Sequence, residues 1–188
     1  MKTDRLNAFT DGVVAIIITI MVLELHVPKG ADVKSLLPVL PVFGAYALSF
    51  INVGIYWSNH HHLLQAARKV SGAVLWANLH LLFWLSLIPF LIRWIGEEGI
   101  SAWPVAAYGL VMVMAAVAYM VLERALEHAD PESPVREALE GRGKEMVSLA
   151  LYVAGMVAAA FSAWVSVLCY SVVSMMWLIP DRRFERRA

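Results

Sequence analysis

The side chains in this 188-residue chain best suited to hold an ion or move a proton are Arg5, Asp11, Asn78, His80 and a run of three histidines, His60, His61 and His62. Neighbouring residues on a helix point about 100° apart, so at most two of the three histidines can serve one ligand site. No cysteine and no pair of carboxylates stands beside them at ligand spacing, so structural hydrogen bonding is the leading expectation and a metal site a minor one. Imidazole titrates near neutral pH, which keeps a pH-sensing role open. A haem held by His60 and His80 is a different class of reading, and it would colour the purified protein. Nothing resembles a nucleophile elbow, a phosphate-cradling glycine loop or a catalytic pair of acids, and Asp130 and Glu132 read as solvated loop charges. The expected chemistry is that of a binding or conducting protein, not an enzyme, and no cofactor is called for.

Such residues must be positioned by helices in lipid. The chain is 60% hydrophobic and 16% charged, whereas soluble domains carry about 25% charged residues. A fold of this length cannot bury that much apolar surface within itself, and a bilayer is the solvent that covers the rest. A formal net charge of zero argues against nucleic acid as a partner. Cys169 is the sole cysteine, so no intrachain disulfide forms.

Uncharged runs mark the spans, since a helix needs about 20 residues to cross the hydrocarbon core. The expected spans are residues 8–27, 36–58, 70–92, 100–122, 146–162 and 165–181, in a single domain covering 1–188. The first carries Asp11 and Glu24 near its ends, acids that would be costly against lipid, so it should face protein or water. It reads as a retained helix rather than a cleaved leader. The last apolar run, Met146 to Pro180, is too long for one span, and charge decides that it is two. With both termini in the cytoplasm, only Lys29, Lys34 and Arg93 of the fifteen basic residues fall outside. That satisfies the positive-inside rule, which a single last span would break. The turn between the last two spans, near Ser162 to Val165, has no Gly or Pro to fix it. The long loop Glu123 to Glu145 is polar, and its Asp-Pro and Ser-Pro steps suit helix starts.

On the wheel of the first helix, Gly12, Ile16, Thr19 and Leu23 lie within about 60° of one another, and His26 extends the line at the outer end. A ring of branched apolar side chains can close a pore by dewetting, and a ring of hydroxyls can replace part of an ion's hydration shell. Ordinary packing accounts for the same spacing, with Thr19 bonded to its own backbone a turn back. Arg5 and Asp11 are about 120° apart on the wheel and cannot easily pair with each other. Partners at the same depth include Trp57, Asn59, the three histidines, Asn78 and His80, and a buried polar cluster there would tie three helices together.

The first helix, Arg5 through Phe9-Thr10-Asp11-Gly12 to Glu24-Leu25, resembles the signature of the transmembrane protein 175 potassium channels: an arginine, three residues, then Phe-Ser-Asp. Thr10 stands where that family has serine. The likeness continues through Ser49-Phe50, Tyr56-Trp57, His60-His61, Asn78 and Pro89-Phe90, and on to Trp177 and Pro180-Asp181-Arg182-Arg183. It implies an all-α integral membrane protein in which four six-helix subunits surround a central pore lined by the first helix, without a re-entrant selectivity loop. No Thr-Val-Gly-Tyr-Gly run occurs in the chain. Carried over by residue, the resemblance puts an apolar constriction at Ile16, a hydroxyl layer at Thr19 and a further apolar ring at Leu23, with potassium as the permeant ion. It puts Arg5, Phe9, Thr10, Asp11, Trp57, His60, His61 and Asn78 in a packing and gating network. The implied partners are three copies of the same chain in a cell membrane. The rivals are a small transporter or proton-coupled carrier built on the same polar cluster, and a scaffold without transport.

The charge asymmetry makes a direct prediction. A cysteine introduced at Gly30 is labelled by an impermeant reagent from outside, and one at Ala66 only from inside; the reverse pattern overturns the topology.

Overall fold

In a computed structural model of the protein, residues 3–133, 135 and 143–178 are described, and all regular structure among them is helical. Helix α1 spans Thr3–Leu23, and a 3-10 helix, Val33–Val39, leads into α2, Leu40–Ala66. The chain continues through α3 (Gly72–Ser86), α4 (Ile88–Glu98), α5 (Ala102–Ala129), α6 (Gly143–Ala158) and α7 (Ala163–Leu178). Four segments of the described chain are long and apolar enough to cross a bilayer: α1, the 3-10 helix with α2, α3 with α4, and α5. The apolar α7 has 16 described residues, a length of about 24 Å at the helical rise.

Local chemistry sets the boundaries, and several differ from those read in the sequence. Helix α1 begins five residues earlier than expected and ends at Leu23 instead of Val27. Pro28 pushes the residues before it toward extended backbone, and the last turn tightens as Leu25 N–H bonds Val22 C=O at 3.3 Å. His26 therefore leaves the helix and does not extend its outward stripe; its ring lies close to Gly96 of α4 instead. The 3-10 helix is capped by Asp32, whose carboxylate accepts from Ser35 N–H at 3.0 Å and from the Ser35 hydroxyl. Those two bonds hold the Asp32 carboxyl below its ordinary pKa. The third expected span is divided at Leu87 into α3 and α4. Pro89 has no N–H for the carbonyl four residues back, and its ring crowds that carbonyl, so the axis breaks there. Helix α5 runs on past Leu122 to Ala129, and Pro131 then forces Asp130 out of the helical region, to φ −151° and ψ 87°. Asp130 is buried and faces Lys69 at 3.6 Å, so it is not the solvated charge that its loop position suggested. The break between α6 and α7 falls at 159–162. The expected helix start around Ser133-Pro134 and the closing Pro180-to-Arg183 motif lie, apart from Ser133, outside the described residues.

Helix α5 is the central post, packing against α3 on one side and α6 on the other, while α7 lies against α6, α5 and α2. Helix α1 rests on α2, α3 and α4 at the opposite side of the bundle. In the middle Tyr170 of α7 is fully buried as a wedge, its hydroxyl donating to Val105 C=O at 3.2 Å. Gly109 of α5 and Gly155 of α6 make room for it: a methyl group at Gly109 would collide with the Tyr170 hydroxyl, and one at Gly155 with the ring itself. Small residues where helices must approach closely are the usual device for packing in lipid.

Gly109→Ala and Gly155→Ala should each cost about 1–3 kcal/mol by overpacking and lower the thermal midpoint in detergent. Gly54→Ala, where nothing lies within 4 Å of the added methyl, should leave that midpoint unchanged or raise it.

Candidate functional site: the outward face of α1 and its polar anchor

Helix α1 is amphipathic in an unusual sense, apolar on both faces but buried on only one. Leu6, Thr10, Val14, Ile17 and Met21 recur at helical spacing and are buried against the neighbouring helices. On the opposite face Gly12, Ile16, Thr19 and Leu23 are exposed, with Ile16 at 59% and Leu23 at 79%. Thr19 donates its hydroxyl proton to Ile16 C=O at 2.9 Å. Its oxygen lone pairs are left on the outward face.

One buried polar residue on the inner face fixes the helix in rotation. Asn78 of α3 donates its amide N–H to Thr10 Oγ1 at 3.0 Å. The Asn78 carbonyl oxygen is then turned to His60 of α2, whose Nε2 lies 2.7 Å away. His60 therefore donates from Nε2–H, and in the neutral ring Nδ1 is the bare nitrogen. That Nδ1 is buried without a hydrogen-bond partner. Thr10, Asn78 and His60 are 2%, 0% and 1% exposed, so three helices are joined by groups that no solvent reaches.

A second set of bonds lies at the rim of this anchor. Trp57 Nε1–H donates to half-buried Asp11 Oδ1 at 2.7 Å, so the partner of Asp11 is α2. The Trp57 ring stacks on His61, with 6.1 Å between centroids. His61 in turn lies within hydrogen-bond distance of Asn7 (3.1 Å) and Gln65 (2.9 Å). Arg5 and Phe9 are not drawn into the cluster; both side chains are exposed on the subunit, beside the outward face. His80 Nε2 accepts from Trp84 Nε1–H at 2.9 Å. With the Nε2 atoms of both His60 and His80 engaged, the geometry does not favour a haem between them. Among the described residues no group of three His, Cys, Asp or Glu could hold a metal ion.

Reading the sequence missed a further polar network, on the other side of α2. Asn52 Nδ2–H and the Ser49 hydroxyl both donate to the Tyr108 hydroxyl oxygen, at 3.2 and 3.1 Å. Ser174 of α7 donates to Asn52 Oδ1 at 2.8 Å. The available signal was Asn52, an amide inside an uncharged apolar run, which must find partners on neighbouring helices.

Removing one member of the anchor strands the others in an apolar setting, at about 1–3 kcal/mol per orphaned group. Asn78→Leu and Thr10→Val are therefore expected to lower the thermal midpoint in detergent, and a double-mutant cycle should give a clear coupling between them. Purely additive losses would mean that the 3.0 Å contact carries no energy.

The helices that carry the anchor, α1 to α3, are also where a family model matches. A family model described as the endosomal/lysosomal potassium channel TMEM175 matches residues 5–89, which hold the whole anchor. A potassium channel of Chryseobacterium sp. (strain P1-3) is 51% identical over 99% of this chain and 97% of that protein. The human endosomal/lysosomal proton channel TMEM175 is 38% identical over 39% of this chain and 17% of its own length. The fold matches the crystal structure of a lysosomal potassium-selective channel TMEM175 homolog from Chamaesiphon minutus with a TM-score of 0.81 and 27% identity, over 94% of this chain and 96% of that one. With one relative so similar from end to end and a shared fold, this chain belongs to the TMEM175 family.

Proposed function

We propose that the protein is a subunit of a potassium-selective channel, in which four copies set the outward face of α1 around a common axis. The observation that carries this reading is the exposure of Ile16, Thr19 and Leu23 on a helix whose other face is anchored by buried hydrogen bonds. Lipid covers exposed apolar side chains by itself, so what favours a shared axis is the Thr19 oxygen on that face together with the channel names of the relatives. The potassium-channel names of the bacterial relatives support the choice of ion.

In this reading six spans cross the cell membrane, the pair α6 and α7 being the short ones, and both termini are cytoplasmic. The Ile16 ring is the constriction, too apolar and narrow to stay wet when closed. Thr19 lies less than a turn further along. Its proton is committed to Ile16 C=O, so each hydroxyl offers the axis oxygen and not hydrogen. Four such oxygens present negative partial charge to a partly dehydrated cation. Leu23 forms the next apolar ring. Asp11 acts as a tie to Trp57 that sets the helix angle, and it is not an ion ligand. Arg5 and Phe9, on the exposed flank of α1, serve contacts between subunits.

Reversal potentials of reconstituted tetramers test the assignment, in potassium against sodium and with a pH gradient as a third arm, because the human relative is named a proton channel. Thr19→Val keeps the β-branched shape and removes four ligand oxygens; at about 1 kcal/mol per group, the potassium preference should shrink. Ile16→Asn should wet the constriction and raise conductance with poorer discrimination. If both variants behave as the parent does, the stripe is packing and conduction runs elsewhere; a monomer that still carries potassium flux would refute the central pore.

A further inference from the structure

Helix α2 ends at Ala66, and its last carbonyls have no further turn to satisfy them. Ala67 N–H closes one, bonding Leu64 C=O at 3.2 Å. The Ala66 carbonyl is met from far along the chain, by the Ser133 hydroxyl, which donates to it at 2.9 Å. The exit of α5 brings Ser133 there. Asp130 follows the last residue of that helix, and Ser133 N–H bonds Asp130 C=O at 3.0 Å, turning the chain back. Val135 N–H then donates to Ser133 Oγ at 3.3 Å, and Val135 itself is fully buried. The Asp130 carboxylate is 9% exposed and stands at the negative end of the α5 dipole, where an anion is disfavoured. Among the described residues its counter-charge is Lys69 Nζ at 3.6 Å, from the turn between α2 and α3. The Lys69 side chain is 69% exposed. A buried anion thus depends on a cation that solvent reaches.

We propose that Asp130 to Ser133, with Val135, form a strap that fastens the Ala66 end of α2, and that the charge on Lys69 is its catch. Without that charge the Asp130 carboxylate is left uncompensated beside a helix C-terminus, and it regains hydration only by moving out into water. Ser133 moves with it, and the Ala66 carbonyl loses its donor. The turn of α2 released in this way carries Gln65, whose amide lies 2.9 Å from His61. His61 is the residue that reaches Asn7 of α1, at 3.1 Å. The strap is therefore a device with two positions, fastened or free, set beside the polar rim of the anchor. Its action does not depend on whether the protein conducts potassium.

The test is amide hydrogen exchange on the purified full-length protein in detergent, read by mass spectrometry. Residues 62–72 report the end of α2 and the turn after it, and residues 105–115 of α5, beside the Tyr170 wedge, serve as the internal control. Lys69→Gln should speed exchange over 62–72 by about tenfold, the scale of one lost charge-assisted contact, and leave 105–115 as in the parent. Ser133→Ala should act in the same direction, whereas Lys69→Arg keeps the charge and keeps the protection. Adding Asp130→Asn to Lys69→Gln should restore most of the protection, because no anion then needs to reach water. The proposal fails if Lys69→Gln exchanges as the parent does, or if Lys69→Arg matches Lys69→Gln. It fails equally if the double variant stays unprotected, or if the loss spreads evenly to 105–115, since the change is then general destabilisation and not the opening of a strap. Should Ser133→Ala not assemble, the variants of the exposed Lys69 decide the matter.

Discussion

Between apolar helices, a hydroxyl, an amide and an imidazole have no water to fall back on, and Thr10, Asn78 and His60 satisfy one another instead. This chain of two hydrogen bonds ties α1 to α3 and α3 to α2, and it fixes more than their distance. Residues on a helix are about 100° apart, so pinning Thr10 inward also determines where every other side chain of α1 points. Val14, Ile17 and Met21 are carried into the core with it, and Ile16, Thr19 and Leu23 are carried out. A turn of α1 by one residue would bring Asp11 or Phe9 inward and leave Asn78 with an unbonded donor, at about 1–3 kcal/mol for that group alone. The outward face is thus held in register by a bond on the inward one.

Lipid gives little hydrophobic reason for helices to associate, so packing and interhelical hydrogen bonds must do it. The two halves of the bundle use different proportions of each. Around α1 the joints are polar and specific, whereas α5, α6 and α7 close on the Tyr170 wedge through Gly109 and Gly155. The two meet at α2, where Asn52 reaches both Tyr108 of α5 and Ser174 of α7. A helix bonded on both faces in this way is the common seat of the two halves.

Much of this protein could be read from its residues in order, and the part that could be read is the part that depends on neighbours along the chain. Composition alone indicates the solvent, because too few charges remain to cover the apolar surface. The 3.6-residue period yields the stripe Gly12, Ile16, Thr19 and Leu23, since spacing on a helix is a local property. The depth of the polar groups followed from where they fall in their runs, which is why Trp57, His60, His61 and Asn78 could be named together. The family signature added the expected pore roles of that stripe.

What the sequence left open was decided by rotation and height, which belong to pairs of helices and to no single one. Several partners of suitable depth existed for Asp11, and only the seating of α1 against α2 selects Trp57. His26 seemed to continue the stripe until Pro28 ended the helix short of it, and Asp130 seemed solvated until the fold brought Lys69 to it. The Asn52–Tyr108–Ser174 network joins residues more than fifty positions apart. A hydrogen bond in an apolar interior is stringent about distance and angle, so its partners are settled only once every helix has its place.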